Sequence, residues 1–113
     1  MPWAEKTLNG FPTIQLSGDI DLANSPALRK QLQSKLENQH PVLFIDFSGV
    51  TYIDSSGLAT LIEYYKESRS FDGTLSLYGL SPRVKSVFEL VRLTEILNLH
   101  DDLESATEAH KHS

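Results

Sequence analysis

Residues 42–58 read Val-Leu-Phe-Ile-Asp-Phe-Ser-Gly-Val-Thr-Tyr-Ile-Asp-Ser-Ser-Gly-Leu, and this segment is the strongest indication of the fold class. Its first part, Val42 to Phe47, is almost continuously apolar, which is typical of a strand covered on both faces in a parallel sheet. Ser48-Gly49 interrupts the apolar run, so we expect the strand to end there. A helical spacing of apolar residues begins at Leu58. The stretch therefore predicts a central strand followed by a helix that starts at Asp54-Ser55-Ser56-Gly57.

Other segments of the chain show the patterns of further strands. Thr13 to Ser17 and Thr74 to Tyr78 alternate apolar and polar residues, as strands with one buried face do. A stretch that contains Leu97 and Leu99 indicates a short strand at the edge of the sheet. Together with the central strand, these segments predict a sheet of at least four strands.

Helices are predicted between the strands by their start signals. Ser25-Pro26 and Ser81-Pro82 each place a good capping serine before a proline, which suits the first helical position. The first of these helices should end near Asn38. Asp101-Asp102 should open a last helix that runs through Ala109, because carboxylates are favourable at the positive end of a helix.

Length and element order together define the expected architecture. A chain of 113 residues with 40% hydrophobic and 22% charged residues is ordinary for one globular domain, here residues 1–113. Strands that alternate with helices over short connections favour right-handed crossovers and a mainly parallel sheet. The expected fold class is therefore α/β.

Charge and cysteine content exclude several classes of function. Ten Lys and Arg against fifteen Asp and Glu give a net charge of −5, the wrong sign for a protein that binds nucleic acid. The absence of cysteine excludes disulfides, thiolate metal sites and a cysteine nucleophile. The longest apolar run, Val42 to Ile45, is far shorter than the ~18 residues of a membrane-spanning helix. The first residues contain no secretory signal, so we expect a cytoplasmic protein without direct membrane insertion.

The junction Asp54-Ser55-Ser56-Gly57 is the best candidate for a functional site. It places two hydroxyls and a glycine where a central strand gives way to a helix. A helix N-terminus offers unpaired N–H groups and about half a positive charge, so a phosphoryl group on a serine would be stabilised there. Gly57 removes a side chain beside the hydroxyls, which would give a kinase or a partner close access to the backbone.

Phosphorylation at this junction would change the charge of the surface around it. A phosphate adds about −1.5 to −2 charges, here close to Asp54 and, if the first strand ends alongside, close to Asp19 and Asp21. The added charge would weaken partner binding while the helix dipole keeps the fold intact. Asp54, Ser55 and Ser56 have an equally weighted alternative, which is that they simply cap the helix.

The chain resembles the STAS domain of bacterial anti-sigma factor antagonists. The resemblance covers nearly the whole chain, with motifs between about residues 13 and 110. The segments that carry it, in order, are Leu16 to Asp21, Val42 to Phe47, Ser48 to Leu58, Leu80 to Val84 and Leu93 to Leu97. It implies a four- or five-stranded, mainly parallel mixed sheet with helices packed mainly on one face. It also implies that an anti-sigma factor serine kinase of the histidine-kinase-like ATPase fold binds and phosphorylates this domain, with room for a serine phosphatase as a further partner.

The resemblance also assigns individual residues. The phosphoacceptor of the family is the first serine after the aspartate, which is Ser55, while Ser56 and Gly57 shape the loop. Asp21 aligns with an aspartate beside the acceptor, and its implied role is to hold the site and orient the kinase. Asp54 is a further acidic neighbour, with capping as an equally weighted role. The expected loop for phosphorylation and partner binding thus comprises Ser55 with Asp19, Asp21, Asp54, Ser56 and Gly57, without catalytic or metal-ligating residues.

Two functions within this fold remain open. The unphosphorylated chain is expected to bind the anti-sigma factor kinase and release a sigma factor, without enzymatic activity or a cofactor of its own. The alternative is a STAS-like cytoplasmic subunit of an ABC transporter that moves phospholipid. The transporter-associated kind often has threonine at the acceptor position, so the pair Ser55-Ser56 favours the phosphorylation switch.

A hydrolase or a metal site is a weaker interpretation. A serine hydrolase would need a histidine base, but the loop lacks the Gly-x-Ser-x-Gly motif. The four histidines are therefore expected on the solvated surface: His40, His100, His110 and His112. The segment His110-Lys111-His112 offers two imidazoles without the further ligands that zinc needs.

Overall fold

The computed structural model describes residues 3–111, in which five strands form one sheet. The strands lie in chain order, so each one pairs with its neighbour in the sequence. Their bounds are Ala4–Leu8 (β1), Phe11–Ile20 (β2), Val42–Ile53 (β3), Thr74–Tyr78 (β4) and Asn98–His100 (β5). β1 runs antiparallel to β2, and the other pairs are parallel. The predicted α/β class with a mainly parallel mixed sheet is confirmed.

Within residues 3–111, four α-helices connect or follow these strands. Their bounds are Ser25–Glu37 (α1), Ser55–Ser68 (α2), Pro82–Leu90 (α3) and Leu103–Lys111 (α4). The predicted start of α3 is confirmed, because the Ser81 hydroxyl accepts the N–H of Val84 at 3.2 Å. The predicted acidic start of α4 is confirmed too, since the Asp102 carboxylate accepts the N–H of Ser105 at 2.8 Å.

The prediction that the central strand ends at Ser48-Gly49 is wrong. β3 continues to Ile53 because β2 continues beside it, with Gly18 paired to Val50 and Ile20 to Ile53. A Cβ on Gly49 would lie 3.1 Å from the carbonyl oxygen of Leu16. The glycine therefore lets two parallel strands approach closely along an irregular register.

The hairpin of β1 and β2 is an element that the strand patterns above do not predict. Leu8 pairs with Phe11 across the two residues Asn9 and Gly10, which have φ angles of 51° and 87°. Asn-Gly with two positive φ angles is the preferred sequence of a tight hairpin turn. That dipeptide is the signal from which the hairpin could have been predicted.

A chain of polar contacts holds the start of β1 against α1. The Trp3 indole N–H donates to the Ser17 carbonyl at 3.0 Å, and the buried Gln31 amide bonds the Trp3 backbone and the Glu5 carboxylate. Lys35 lies 2.6 Å from Glu5. Hydrogen bonds from Lys35 and Gln31 lower the pKa of Glu5. The first strand is thus fixed to the first helix by polar contacts from the buried Gln31 and the half-buried Lys35.

The two faces of the sheet are covered unequally. The first face packs against α1, α2 and α3 around a large apolar core. Fully buried members of that core are Ile14, Ile20, Leu28, Leu43, Ile45, Phe47, Leu61, Leu77 and Phe88. The second face packs against α4 around Phe44, Tyr78 and Ala106. Helices therefore lie mainly on one face, as the resemblance implies.

The expectation that all four histidines are solvated is wrong for the three described ones, because His40, His100 and His110 are all half-buried. His100 lies beside His110 of α4, with ring centroids 6.2 Å apart. The Nε2 atom of His110 lies 2.6 Å from the hydroxyl of the buried Ser76. His112 lies outside the described residues. The helical pattern of α4 turns His110 inward, a placement that its position in a polar segment does not reveal.

Candidate phosphorylation and partner-binding site

The candidate site lies at the carboxyl end of β3, where α2 begins. Asp54 is the N-cap of α2, and its carboxylate accepts the N–H of Ser56 at 2.9 Å and that of Gly57 at 3.2 Å. The Ser56 hydroxyl donates to the same oxygen at 2.6 Å. These hydrogen bonds, led by the Ser56 hydroxyl, lower the pKa of Asp54. Asp54 therefore caps the helix and carries its negative charge at neutral pH.

The two serines of the junction have different environments. Ser55 is exposed as the first residue of α2, and among residues 3–111 no side-chain hydrogen bond involves its hydroxyl. The half-buried Ser56 donates to Asp54 and lies 3.0 Å from the hydroxyl of Ser25. Only the first of the two serines thus combines exposure with a hydroxyl that is uncommitted within the described chain.

Gly57 brings the start of α2 against the end of β2. A Cβ at this position would lie 2.9 Å from the Ile20 carbonyl oxygen and 2.8 Å from Cγ1 of Ile53. The Asp54 N–H donates to the same Ile20 carbonyl at 3.1 Å. Gly57 is buried, so the prediction that it gives a partner access to the backbone is wrong, and its structural contribution is close packing of helix on strand.

The loop from β2 to α1 forms the second wall of the site. The Asp21 carboxylate accepts the N–H of Asn24 at 3.1 Å, and the Asp21 carbonyl accepts the Ser25 hydroxyl at 2.7 Å. The side-chain amide of Asn24 donates to the Asp19 carbonyl at 2.7 Å. Asn24, and not Ser25, is the N-cap of α1, so the predicted cap is wrong. The Ser25 hydroxyl instead bridges this loop to Ser56 and α2.

Three predicted carboxylates lie at this end of the sheet. Asp19 is paired with Tyr52 of β3, and its carboxylate accepts the Thr51 hydroxyl at 2.9 Å. Asp21 follows at the end of β2, and Asp54 caps the adjoining helix. None of the ion pairs within residues 3–111 involves these three aspartates. The site is therefore a surface with uncompensated negative charge.

Sequence reasoning missed three residues that hold the site together, namely Asn24, Ser25 and Thr51. Asp21 three positions before Asn24 is the spacing of an aspartate that caps its own following turn, so this contact could have been predicted. The Ser25 and Thr51 contacts join segments 31 and 32 residues apart. Those two depend on the parallel pairing of β2 with β3, which a local pattern does not reveal.

The described part of the chain offers neither a metal site nor a membrane span. Within residues 3–111, no group of three or more His, Asp or Glu side chains is arranged to hold a metal ion. None of the helices in the same residues is both long enough and apolar enough to cross a bilayer.

A protein-family comparison identifies the class to which this fold and site belong. The model of the STAS domain matches residues 3–106. The chain therefore belongs to the STAS domain family. The match extends over all five strands and three of the four helices.

Curated relatives of the chain include anti-sigma-B factor antagonists. The protein of that name from Listeria monocytogenes is 33% identical over 86 residues, which cover 76% of this chain and 75% of the relative. The one from Bacillus subtilis is 31% identical over 86 residues, which cover 76% and 78%.

Solved structures extend the similarity to the fold as a whole. An anti-sigma factor antagonist from Mycobacterium paratuberculosis superimposes with a TM-score of 0.87 at 25% identity, covering 96% of this chain and 92% of that one. SpoIIAA, an anti-sigma factor antagonist of Bacillus, matches in its unphosphorylated form with a TM-score of 0.74, at 17% identity and 98% coverage of both chains. Its phosphorylated form matches with a TM-score of 0.71 at 17% identity, covering 96% and 99%. The SpoIIAA pair shows that a protein of this fold exists in both phosphorylation states.

Proposed function

We propose that this chain is an anti-sigma factor antagonist, a single cytoplasmic STAS domain of residues 1–113 that acts by binding and not by catalysis. Unphosphorylated, it binds an anti-sigma factor serine kinase of the histidine-kinase-like ATPase fold and thereby frees a sigma factor. Phosphorylation of Ser55 weakens that binding. The names of the curated relatives support this role.

One structural observation carries the assignment of the switch to Ser55. Of the two adjacent serines, Ser55 is exposed, whereas the Ser56 hydroxyl is engaged with Asp54 and lies against Ser25. A kinase that docks at this end of the sheet reaches the Ser55 hydroxyl without breaking a hydrogen bond. Phosphorylating Ser56 would require opening the cap of α2.

The local electrostatics explain why the phosphate would switch binding and leave the fold intact. The kinase transfers the γ-phosphoryl group of ATP to the Ser55 oxygen, the hydroxyl proton passes to a base, and ADP leaves. The new phosphate adds about −1.5 to −2 charges at the positive end of α2, where the helix dipole stabilises it. Close to Asp54 and Asp21, it also makes the surface more negative, which repels a kinase site that still holds ADP. A serine phosphatase that hydrolyses the phosphate would restore binding.

Affinity capture with three baits tests the proposal. Wild type and Ser55→Ala should retain an ATPase-type anti-sigma factor kinase from a lysate of the source organism, identified by mass spectrometry. Ser55→Asp should lose the kinase while its thermal unfolding midpoint stays close to that of wild type. Ser56→Ala is the matched control, since it removes the neighbouring hydroxyl and leaves the proposed acceptor in place.

Three outcomes would contradict the proposal in different ways. Retention of the kinase by Ser55→Asp would remove the switch, and phosphate on Ser56 in the kinase-treated protein would move the acceptor. Capture of the ATPase of a membrane ABC transporter in place of the kinase would favour a STAS-like subunit of a phospholipid transporter.

A further inference from the structure

Two exposed leucines lie at opposite ends of the sheet. Leu22 is 76% exposed and lies two residues beyond the end of β2, at the carboxyl end of the parallel strands, where Ser55 also lies. Leu90 is 85% exposed and is the last residue of α3. Because α3 runs from the end of β4 back to the start of β5, Leu90 lies at the other end of the sheet. Because both leucines are highly exposed, a difference between them in partner binding would be due to their position and not to their exposure.

Leu22 is held in place by the hydrogen bonds of its loop. The residue lies between Asp21 and Asn24, whose turn is closed by the bonds from Asn24 and Ser25 back to Asp21. Its backbone N–H lies close enough to the Asp54 carboxylate to contribute to the lowered pKa of that group. The loop is also linked to α2 through Ser25 and Ser56. The side chain is thus presented to solvent from a backbone that is fixed relative to the phosphorylation site.

We infer that Leu22 is the apolar anchor through which this chain binds its kinase. The partner surface that fits it has an apolar pocket for the leucine, bordered by lysine or arginine side chains that face Asp19 and Asp21. This inference rests on the proposed function, because it takes the kinase to dock at the end of the sheet that carries Ser55.

The physical basis is the cost of leaving such a side chain in water on an ordered loop. Burying an apolar side chain is favourable in proportion to the area removed from water, and Leu22 has most of its surface available. A side chain on an already ordered backbone loses little further conformational freedom on binding. Interfaces concentrate their binding energy in a few buried side chains near the centre of the contact. The surrounding carboxylates accelerate and orient the encounter with a cationic surface.

The test compares the two leucines in binding to the kinase that wild type retains. Leu22→Ala should raise the dissociation constant, measured by titration calorimetry, at least tenfold. Leu90→Ala should leave the dissociation constant within twofold of that of wild type. Leu22→Met keeps an apolar side chain of similar volume and should retain most of the affinity of wild type. In phosphorylation assays, Leu22→Ala should raise KM and leave kcat unchanged, because the acceptor serine is untouched.

The outcomes distinguish this inference from the proposal beneath it. If wild type binds the kinase and Leu22→Ala binds equally well, the anchor assignment is overturned and the switch at Ser55 stands. If wild type binds no such kinase, the proposed function fails and the anchor assignment fails with it. Equal weakening by Leu22→Ala and Leu90→Ala would also overturn the assignment, because position would then have no effect.

Discussion

The two faces of the sheet bury aromatic residues among different neighbouring side chains. On the first face, Phe47 packs edge-on against Phe88, with ring centroids 5.8 Å apart, among aliphatic side chains from three helices. On the second face, Phe44 packs against Phe11 at 4.6 Å and close to the ring of His110 at 5.7 Å, under α4 alone. The first face therefore supplies most of the apolar stability and positions α1 and α2 at the site. The second holds one helix through a contact that includes titratable groups.

The largest expected effect is on the first face. Phe47→Ala removes a fully buried ring from the main core and should lower the free energy of unfolding by about 3–5 kcal/mol, as measured by urea denaturation. Tyr52→Ala on the same strand is the control, because Tyr52 is 52% exposed and should lose far less. A loss below about 1 kcal/mol for Phe47→Ala would mean that the first face is not the main source of stability.

A charge placed under α4 tests whether the second face can open separately. Ala106 is fully buried between α4 and the sheet. Ala106→Asp should detach the helix, because burying an unpaired carboxylate costs more free energy than releasing α4 from the sheet. We expect a loss of about 2 kcal/mol, reduced helical ellipticity and preserved amide protection in β2 and β3. Ala109→Asp places the same charge at an exposed position of α4 and should change little. Loss of protection throughout the sheet would show that the two faces unfold together.

Acidification should loosen the second face in a defined window. Burial lowers the pKa of His100 against the opposing effect of Asp101, and burial followed by the charge of His100 lowers the pKa of His110. Both pKa values are lowered from 6.5 in the folded protein. The stabilisation that the neutral imidazoles give to the fold is therefore complete above pH 6.5 and is lost as the pH falls towards these lowered pKa values. The slope is at most about 1.4 kcal/mol per pH unit for each histidine.

Denaturant unfolding between pH 7.5 and 5 measures this slope. His110→Gln keeps a polar partner for Ser76 but does not titrate, so its slope should be shallower than that of wild type. Equal slopes in wild type and His110→Gln would contradict a role for the half-buried imidazoles.

The smallest expected effect is at the surface between α1 and α2. Arg29 and Glu63 form an ion pair at 3.1 Å, with side chains 41% and 42% exposed. Arg29→Ala should cost at most about 0.5 kcal/mol, and less in high salt, because solvent screens such a pair. The exposed neighbour Lys30 supplies the control Lys30→Ala. If Arg29→Ala lowered the free energy of unfolding by more than about 1 kcal/mol, the ion pair of Arg29 with Glu63 would contribute substantially to the stability of the first face.

Patterns in the sequence predicted the elements whose signals are local. The serine and proline before α3, the aspartates before α4 and the apolar run of β3 each act within a few residues, and the structure confirms them. The end of β3 was predicted wrongly because Ser48-Gly49 looks like a strand break, while the pairing partner that extends the strand lies about 30 residues earlier in the chain. Propensity is overridden there by tertiary pairing.

The candidate site likewise has some features that local sequence predicts and others that depend on the folded chain. The Asp54 cap was among the predicted roles because a cap is encoded by neighbouring residues. The contrast between Ser55 and Ser56 was predictable only in part, because the bond from Ser56 to Asp54 is local whereas the contact with Ser25 depends on the folded chain. The half-buried position of His110 follows likewise from the docking of α4.

The order of the strands also bears on how the protein is made. Because the sheet is arranged β1-β2-β3-β4-β5, each strand can pair with its predecessor soon after it leaves the ribosome. Only the hairpin of β1 and β2 closes a tight turn, because each parallel pairing must wait for the helix that crosses over between its two strands. The Asn9 amide donates to the Thr107 hydroxyl at 3.1 Å across 98 residues, so this contact must wait until α4 has been synthesised. Synthesis and assembly thus proceed in the same direction, and the last helix made closes the second face against the first hairpin.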